Sequence, residues 1–375
     1  MKMKRINKGM LIGLSLLLTS GCYDQMYLED ASITLMLGID LDPDKHMVFY
    51  SQSPVFYKEA KKNTENSKVT ASSLRESRIK FDAELTGLTI GSKVQTVLVS
   101  KRLLEQDAGW IKSLDLLYRD PKQQGTSRLV MVDGKMEDLF SMQPPDKPRL
   151  ALHVRKLVDT VRERNHGVNT NVSEFRRQMA DKGITPSIIE LRKTDNRVKV
   201  TGTSLLSEKG KYVTSLSLRE TALLLLLQDK FKGDMSLTVP VHRAEQESKP
   251  DHSAVNIALS AYKRKVKVGY AENKFQFQIH LRMKVNVVSV DFPFNSKSEA
   301  KWLQDELTKE LQLSLAALIK NCQEHELDPF GYGLLARAYQ YQAWKPVQDE
   351  WGKAFADAQV TVTPQITIQG LGGIE

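Results

Sequence analysis

Three aspartates, a cysteine three residues from a histidine and a pair of glycines have types and spacings that could do chemistry. Asp40, Asp42 and Asp44 occupy the first, third and fifth places of a calcium-loop pattern, in which alternate carboxylates converge on one cation. The sixth place is Lys45 instead of the glycine needed for the sharp turn, and the twelfth is Ser51 instead of a bidentate glutamate. The segment therefore reads as an aspartate-rich turn. Cys322 and His325 have a spacing seen in zinc sites, but no further Cys or His lies near them in the sequence to complete a tetrahedral shell. Gly331-Tyr332-Gly333 with Ala336 matches part of a dinucleotide fingerprint, which requires a preceding strand, whereas Asp328-Pro329 follows a helix and a polar loop. The sequence contains no GxSxG, GxxxxGK[ST], HExxH or CxxC. The expectation is a protein with no catalytic residue, no metal and no cofactor.

The other cysteine, Cys22, has a more telling context. The start MKMKRINKGMLIGLSLLLTSGC is basic to Lys8, apolar from Met10 to Leu18, and ends in the small residues Thr19-Ser20-Gly21, the plan of a secretory signal. An apolar stretch of about nine residues cannot cross a hydrocarbon core of roughly 30 Å, so residues 1–21 read as a cleaved leader and not as a permanent span. Cys22 directly after Ser20-Gly21 resembles the lipobox cysteine of bacterial lipoproteins, with Thr19 standing where Leu is usual. That resemblance implies a diacylglyceryl group on the Cys22 thiol and Cys22 as the mature N-terminus. Cys322 would then have no cysteine to pair with in an exporting compartment. It follows Leu303, Leu307, Leu311, Leu315 and Leu318 at helical spacing, which places it on an apolar stripe as an inert packing group.

At 375 residues, and about 150 residues per domain, the chain has room for two or three domains. Its 41% apolar and 26% charged residues suit globular folding in water. The leader carries Lys2, Lys4, Arg5 and Lys8 and no acid, so its removal lowers the formal charge from +9 to +5. This modest excess permits attraction to anionic lipid or wall polymer and falls short of a nucleic-acid footprint.

The elements that must position these residues alternate between strand and helix. Residues 33–40 and 46–56 read as two strands joined across Leu41-Asp42-Pro43-Asp44, and 58–73 as a polar loop leading into a helix over 73–85. Strands are expected at 94–100 and 127–134, and helices at 111–118, 151–164 and 172–181. Pro186 and the polar LRKTDNR mark a boundary near 195. Beyond it, 198–217 reads as a hairpin, and Ser217 with Glu220 as a capping box opening a helix whose apolar run, 222–227, must be buried. Residues 275–290 alternate between apolar and polar, as in a sheet with one dry face. Lys263, Lys265 and Lys267 share one side of a strand, read as an edge protected by charge, with contact to anionic lipid heads as the alternative. Ser296 and Glu299 suggest a second capping box for a helix over 297–323, and Pro364 puts the strand 360–368 at an edge. The fold class is α+β: three mixed α/β domains with antiparallel sheets, over 22–195, 196–234 and 235–375, the last with a long helix packed on a sheet.

Taken in order, these residues resemble the Ger(x)C family, the lipoprotein C subunits of nutrient germinant receptors in endospore-forming bacteria. The resemblance lies in Cys22-Tyr23-Asp24 with Leu28, Ile33, Gly38-Ile39-Asp40 and Asp42, where the residue after Cys is more often Trp. It continues through TGTSLLSEKGKYVTSLSLRETALLLL and ends in Asp328-Pro329-Phe330-Gly331-Tyr332-Gly333, similar to that family's DxxGxG, followed by the paired tryptophans Trp344 and Trp351. It implies a non-enzymatic protein anchored through diacylglyceryl-Cys22 on the outer face of the spore inner membrane, acting with two integral membrane subunits. Whether it binds a small molecule directly is left open. The residues alone cast Phe330, Trp344 and Trp351 as filling a terminal core, with partner contact as the alternative. A solute-binding lipoprotein that feeds a transporter is the competing class, but its two similar lobes would leave an internal repeat that is not seen here.

Overall fold

Runs that are apolar on both faces and runs that alternate sort this chain into the middle of one sheet and the surface of another. The computed structural model describes residues 27–119, 125–144, 146–242 and 253–371; the leader and Cys22 lie outside the described residues. Strands β1 (Ala31–Ile33), β2 (Met36–Leu41), β3 (Met47–Pro54) and β4 (Thr64–Thr70) precede helix α1 (Leu74–Glu84) and strands β5 (Leu88–Ile90) and β6 (Thr96–Ser100). Helices α2 (Lys101–Gln106) and α3 (Asp115–Arg119) lead to β7 (Arg128–Asp133), and α4 (Met136–Phe140), α5 (Leu150–Glu163) and α6 (Val172–Ala180) lead to β8 (Ser187–Thr194), β9 (Arg197–Leu206) and β10 (Tyr212–Ser217). These strands form one eight-stranded sheet in the order β10-β9-β8-β7-β6-β2-β3-β4, beside a small parallel pair β1-β5.

Every residue of β2 and β6 is buried, because each has a strand on both sides and a core on both faces. Leu37, Ile39, Val97 and Val99 face one core with Phe81, Trp110 and Phe175. Met36 and Leu98 face the other with Phe140, Val154 and Val158. The sheet is mixed, since β2, β6, β7 and β8 pair in parallel. The expected antiparallel pairs are present on both sides, and parallel pairs join them because helices return the chain to the same end of the sheet between these strands. The loop expected over 58–73 contains β4, an antiparallel edge strand on β3. Its mostly polar side chains look outward, which is why its sequence resembles a loop. Residue 195 sits in the tight turn between β8 and β9, and the strands on either side pair with each other in the one sheet.

Helix α7 (Leu218–Gln228) opens with the expected capping box, in which Ser217 Oγ accepts from the Glu220 N–H at 3.2 Å and Glu220 accepts from the Ser217 N–H at 2.8 Å. Residues 221–227 are all buried, as an all-round apolar helix must be. Its final carbonyls accept from the next part of the chain: Tyr262 Oη donates to Leu226 O at 2.6 Å, and Arg264 donates to Leu227 O. These donors answer orphan groups that every helix end leaves.

The C-terminal sheet has the order β11-β12-β13-β14, from β11 (Met235–Pro240), β12 (Ala254–Ala271), β13 (Lys274–Val290) and β14 (Gln359–Gly370). Between β13 and β14 the chain runs through helices α8 (Ser296–Glu324), α9 (Tyr332–Tyr339), α10 (Tyr341–Val347) and α11 (Trp351–Ala356). That long crossover lets β14 join β13 in parallel at the edge. The alternation in β13 is as the sequence requires, with Phe275, Phe277, Ile279, Leu281, Met283 and Val285 buried and their neighbours facing out. Helix α8 starts one residue earlier than expected and is capped by Asn295, which accepts from the Lys297 and Ser298 N–H groups at 3.0 and 3.3 Å. Asparagine displaces Ser296 from the cap, and Glu299 still reaches back to the capping residue's own N–H at 2.6 Å.

The stripe Leu303, Leu307, Leu311, Leu315, Leu318 and Cys322 is at most 2% exposed, and burial pushes the Cys322 thiol above its ordinary pKa. Since the thiolate is the reactive form, Cys322 is expected to resist an aqueous thiol reagent until the chain unfolds. Cys322→Ser should cost about 1–3 kcal/mol, read from urea unfolding, because the hydroxyl enters an apolar stripe. Rapid labelling of folded protein at Cys322 would contradict this placement.

Candidate functional site

The Asp328-to-Gly333 loop connects α8 to α9 and is built around a carboxylate with no access to water. Asp328 is 0% exposed. Its Oδ1 accepts from the Gly331 N–H at 3.0 Å, and its Oδ2 from the Gly333 N–H at 2.7 Å and the Trp351 Nε1–H at 2.8 Å. Burial pushes the carboxyl up to about 6, against the pull of these three donors. Gly331, at φ +79°, lets the chain turn into α9.

The same loop docks onto the N-terminal half. Thr185 N–H donates to Asp328 O at 2.8 Å, and Asp328 N–H donates to Thr185 Oγ1 at 2.6 Å. A Cβ on Gly333 would stand 2.6 Å from the Trp351 ring and 2.7 Å from Gly183 Cα, so backbone meets backbone here with no room for a side chain. Ion pairs flank the contact, Arg337 with Asp181 at 3.2 Å and Lys182 with Asp349. The loop is a joint between the two halves, held by hydrogen bonds from both sides.

Phe330, Trp344 and Trp351 are 5%, 3% and 2% exposed. Phe330 stacks on Tyr332 with centroids 5.2 Å apart, and Trp351 meets Phe275 edge-on at 5.1 Å. Trp344 lies 6.3 Å from Tyr341 and beneath the Arg337 guanidinium at 5.5 Å, and its buried Nε1–H has no partner among the described residues. Tyr339 and Tyr341 around it are exposed. The sequence brought Asp328 and Trp351 into view as motif residues, but gave no local sign of Gly183 and Thr185 as their counterparts.

The three aspartates separate. Asp42 accepts from the His46 N–H at 2.8 Å and, with Asp44 and His46, forms a solvent-facing group that could reach one cation. Asp40 turns inward, bonded to the Ser100 hydroxyl and paired with Arg102 at 2.9 Å. The lysines behave as an edge. β11 pairs with β12 only over 254–259, leaving Lys263, Lys265 and Lys267 exposed where β12 has no outer neighbour among the described residues. Lys263 stands opposite Arg282 and Lys265 opposite His280. A polar cleft of about 950 Å³ beside α5 and α6 holds Arg128 and Lys230, both already paired, with Asp159 at 2.9 Å and Glu174 at 3.6 Å.

Comparison with known proteins gives matches along nearly the whole chain. Residues 24–193 match the family described as spore germination protein N-terminal domain. Residues 201–372 match the one described as spore germination B3/GerAC like, C-terminal. The seam between them falls across the β8–β9 turn. The chain is 20% identical to spore germination protein A3 of Bacillus subtilis (strain 168), over 95% of each sequence. It is 19% identical to putative spore germination protein YfkR of the same organism, over 99% of this chain and 98% of that one. The crystal structure of the GerBC protein shares the fold, with a TM-score of 0.59 and 17% identity over 89% of this chain and 96% of that one.

Proposed function

Because the chain belongs to the Ger(x)C family of spore germination proteins, we propose that it is the lipid-anchored C subunit of a nutrient germinant receptor. In this reading it is held through diacylglyceryl-Cys22 on the outer face of the spore inner membrane and acts with two integral membrane subunits, without catalysis of its own, to trigger germination. The observation that carries the reading is the ordered pair of family matches spanning 24–372. Partner contact falls to the exposed Tyr339 and Tyr341, the second of which lies against buried Trp344, while Phe330 and Trp351 pack inside the terminal core. No described helix is long and apolar enough to cross a membrane, so the reading assigns retention to lipid and to partners.

Deleting the gene should abolish the germination response to at least one nutrient, and a tagged copy should restore it. The tagged chain, recovered from detergent-solubilised spore membranes, should bring two integral membrane proteins with it. An unchanged response to every nutrient tried, with no membrane protein recovered, would remove the receptor reading.

A further inference from the structure

We propose that the surface around Phe56 and Tyr57 seats the protein directly on an anionic bilayer, beside the point where the chain is tethered. The inference rests on the reading of Cys22 as the lipid anchor and adds to it a docking face with a fixed orientation.

The loop between β3 and β4 reads Val55-Phe56-Tyr57-Lys58-Glu59-Ala60-Lys61-Lys62-Asn63. Phe56 and Tyr57 are 39% and 41% exposed, although aromatic rings of this size usually find cover. Lys58, Lys61 and Lys62 are exposed as well and outnumber Glu59. The loop has a set shape: the Val55 N–H donates to Asn63 O at 3.1 Å, and the Ala60 N–H to Tyr57 O at 3.2 Å. Aromatic rings beside lysines are the combination suited to a membrane interface, with the rings entering the headgroup layer and the ammonium groups meeting phosphate.

Two observations place this loop where the described chain begins, and a third joins residues 86–88 to them. Tyr57 Oη donates to Glu29 O at 2.8 Å. Ala31 pairs with Leu88, and Leu28 and Leu88 are both more than half exposed. A cleft of about 620 Å³ is bordered jointly by Glu29, Phe56, Tyr57, Lys61 and Gly87. Exposed apolar side chains thus occur on this loop and on the two segments, 27–31 and 86–88, that border the same cleft.

Chain length selects the bilayer as the occupant. Tyr27 follows Cys22 by five residues, which span at most about 18 Å by any path. A lipid on Cys22 therefore holds this patch close to the headgroups. The loop's three lysines complement an anionic surface, offset in part by Glu29 and Glu65 on the same cleft, and the headgroup layer accepts the rings.

The test uses the chain from Cys22 onward, coupled through that thiol to a maleimide lipid in phosphatidylcholine vesicles containing a minority of phosphatidylglycerol. Buried Cys322 is left unmodified. Hydrogen exchange over 55–63 and tryptic cleavage after Lys58, Lys61 and Lys62 are compared with the same chain coupled to a soluble maleimide. Both should slow several-fold on vesicles. The slowing should be lost in the Phe56→Ser, Tyr57→Ser double variant, and weakened in Lys58→Glu, Lys61→Glu, Lys62→Glu, while coupling is unchanged. Equal exchange on vesicles and in solution would overturn the proposal, and so would protection confined to 263–267 and 276–284, which would move docking to the lysine-bearing sheet. The lipid is attached chemically, so these outcomes do not depend on acylation in cells, which lipid labelling of Cys22 tests separately.

Discussion

Asp328→Ala is expected to lower stability by about 3–5 kcal/mol. Truncation strands the N–H groups of Gly331, Gly333 and Trp351 in a site that water does not reach, and each stranded donor carries a desolvation cost of about 1–3 kcal/mol. Removing a carboxylate that is costly to bury recovers part of this, which keeps the figure below the sum of three donors. Asp328→Asn keeps one acceptor and presents an amide to a donor, so about 1–3 kcal/mol is expected. Urea unfolding followed through tryptophan emission measures both, because Trp351 is itself a donor to the site. An Ala variant as stable as the parent would show that the loop does not depend on this carboxylate.

The same residue gives the joint a pH dependence of defined sign. With its folded pKa raised to about 6 from 3.8, Asp328 binds its proton more tightly in the native state than in the unfolded chain. Stability contributed by this group is therefore greatest below the unfolded value, falls as pH rises through that window, and is level above it. Asp328→Asn cannot titrate, so the parent's stability relative to the variant should decline over the same range. A relative gain with rising pH would mean that the three donors outweigh burial.

What the sequence revealed depended on whether a signal was local. The alternation from Phe275 to Val285 and the leucine stripe of α8 are legible because one dry face imposes its own period. Ser217 and Glu220 are legible because both halves of the cap lie within one turn. β4 is hidden because an outward-facing edge strand has little need of apolar residues, and the parallel β13–β14 pairing because its register is set across an intervening helical segment. The joint is hidden for the same reason: Thr185 and Asp328 are 143 residues apart, and neither Gly183 nor Thr185 belongs to a motif. The sequence predicts a strand that ends at Phe56. β3 instead stops at Pro54, and the two aromatics that follow are left at the surface.

Cys22→Ala should abolish lipid labelling and leave the rest of the chain able to fold. The two effects separate because the described members of both cores lie beyond Cys22 and pack on one another. At about 0.8 kcal/mol per buried methylene, two acyl chains hold a protein on a bilayer far more firmly than one. No described helix can substitute for them as a span, and the lysines of the β3–β4 loop and of β12 give only attraction that salt screens. Washing spore membranes at high salt should therefore release more of the variant than of the parent, the remainder being held by the membrane subunits. A peptidase that acts on an acylated cysteine would leave the variant's leader uncut, and the leader would tether a fraction, so mass and fractionation must be read together. Cys322 cannot take over the lipid, because its thiol is enclosed in the α8 stripe. Labelling sporulating cells with a fatty-acid probe decides the matter. Undiminished label in Cys22→Ala would end the lipobox assignment, and normal nutrient germination by fully released protein would show that the receptor role does not need the anchor.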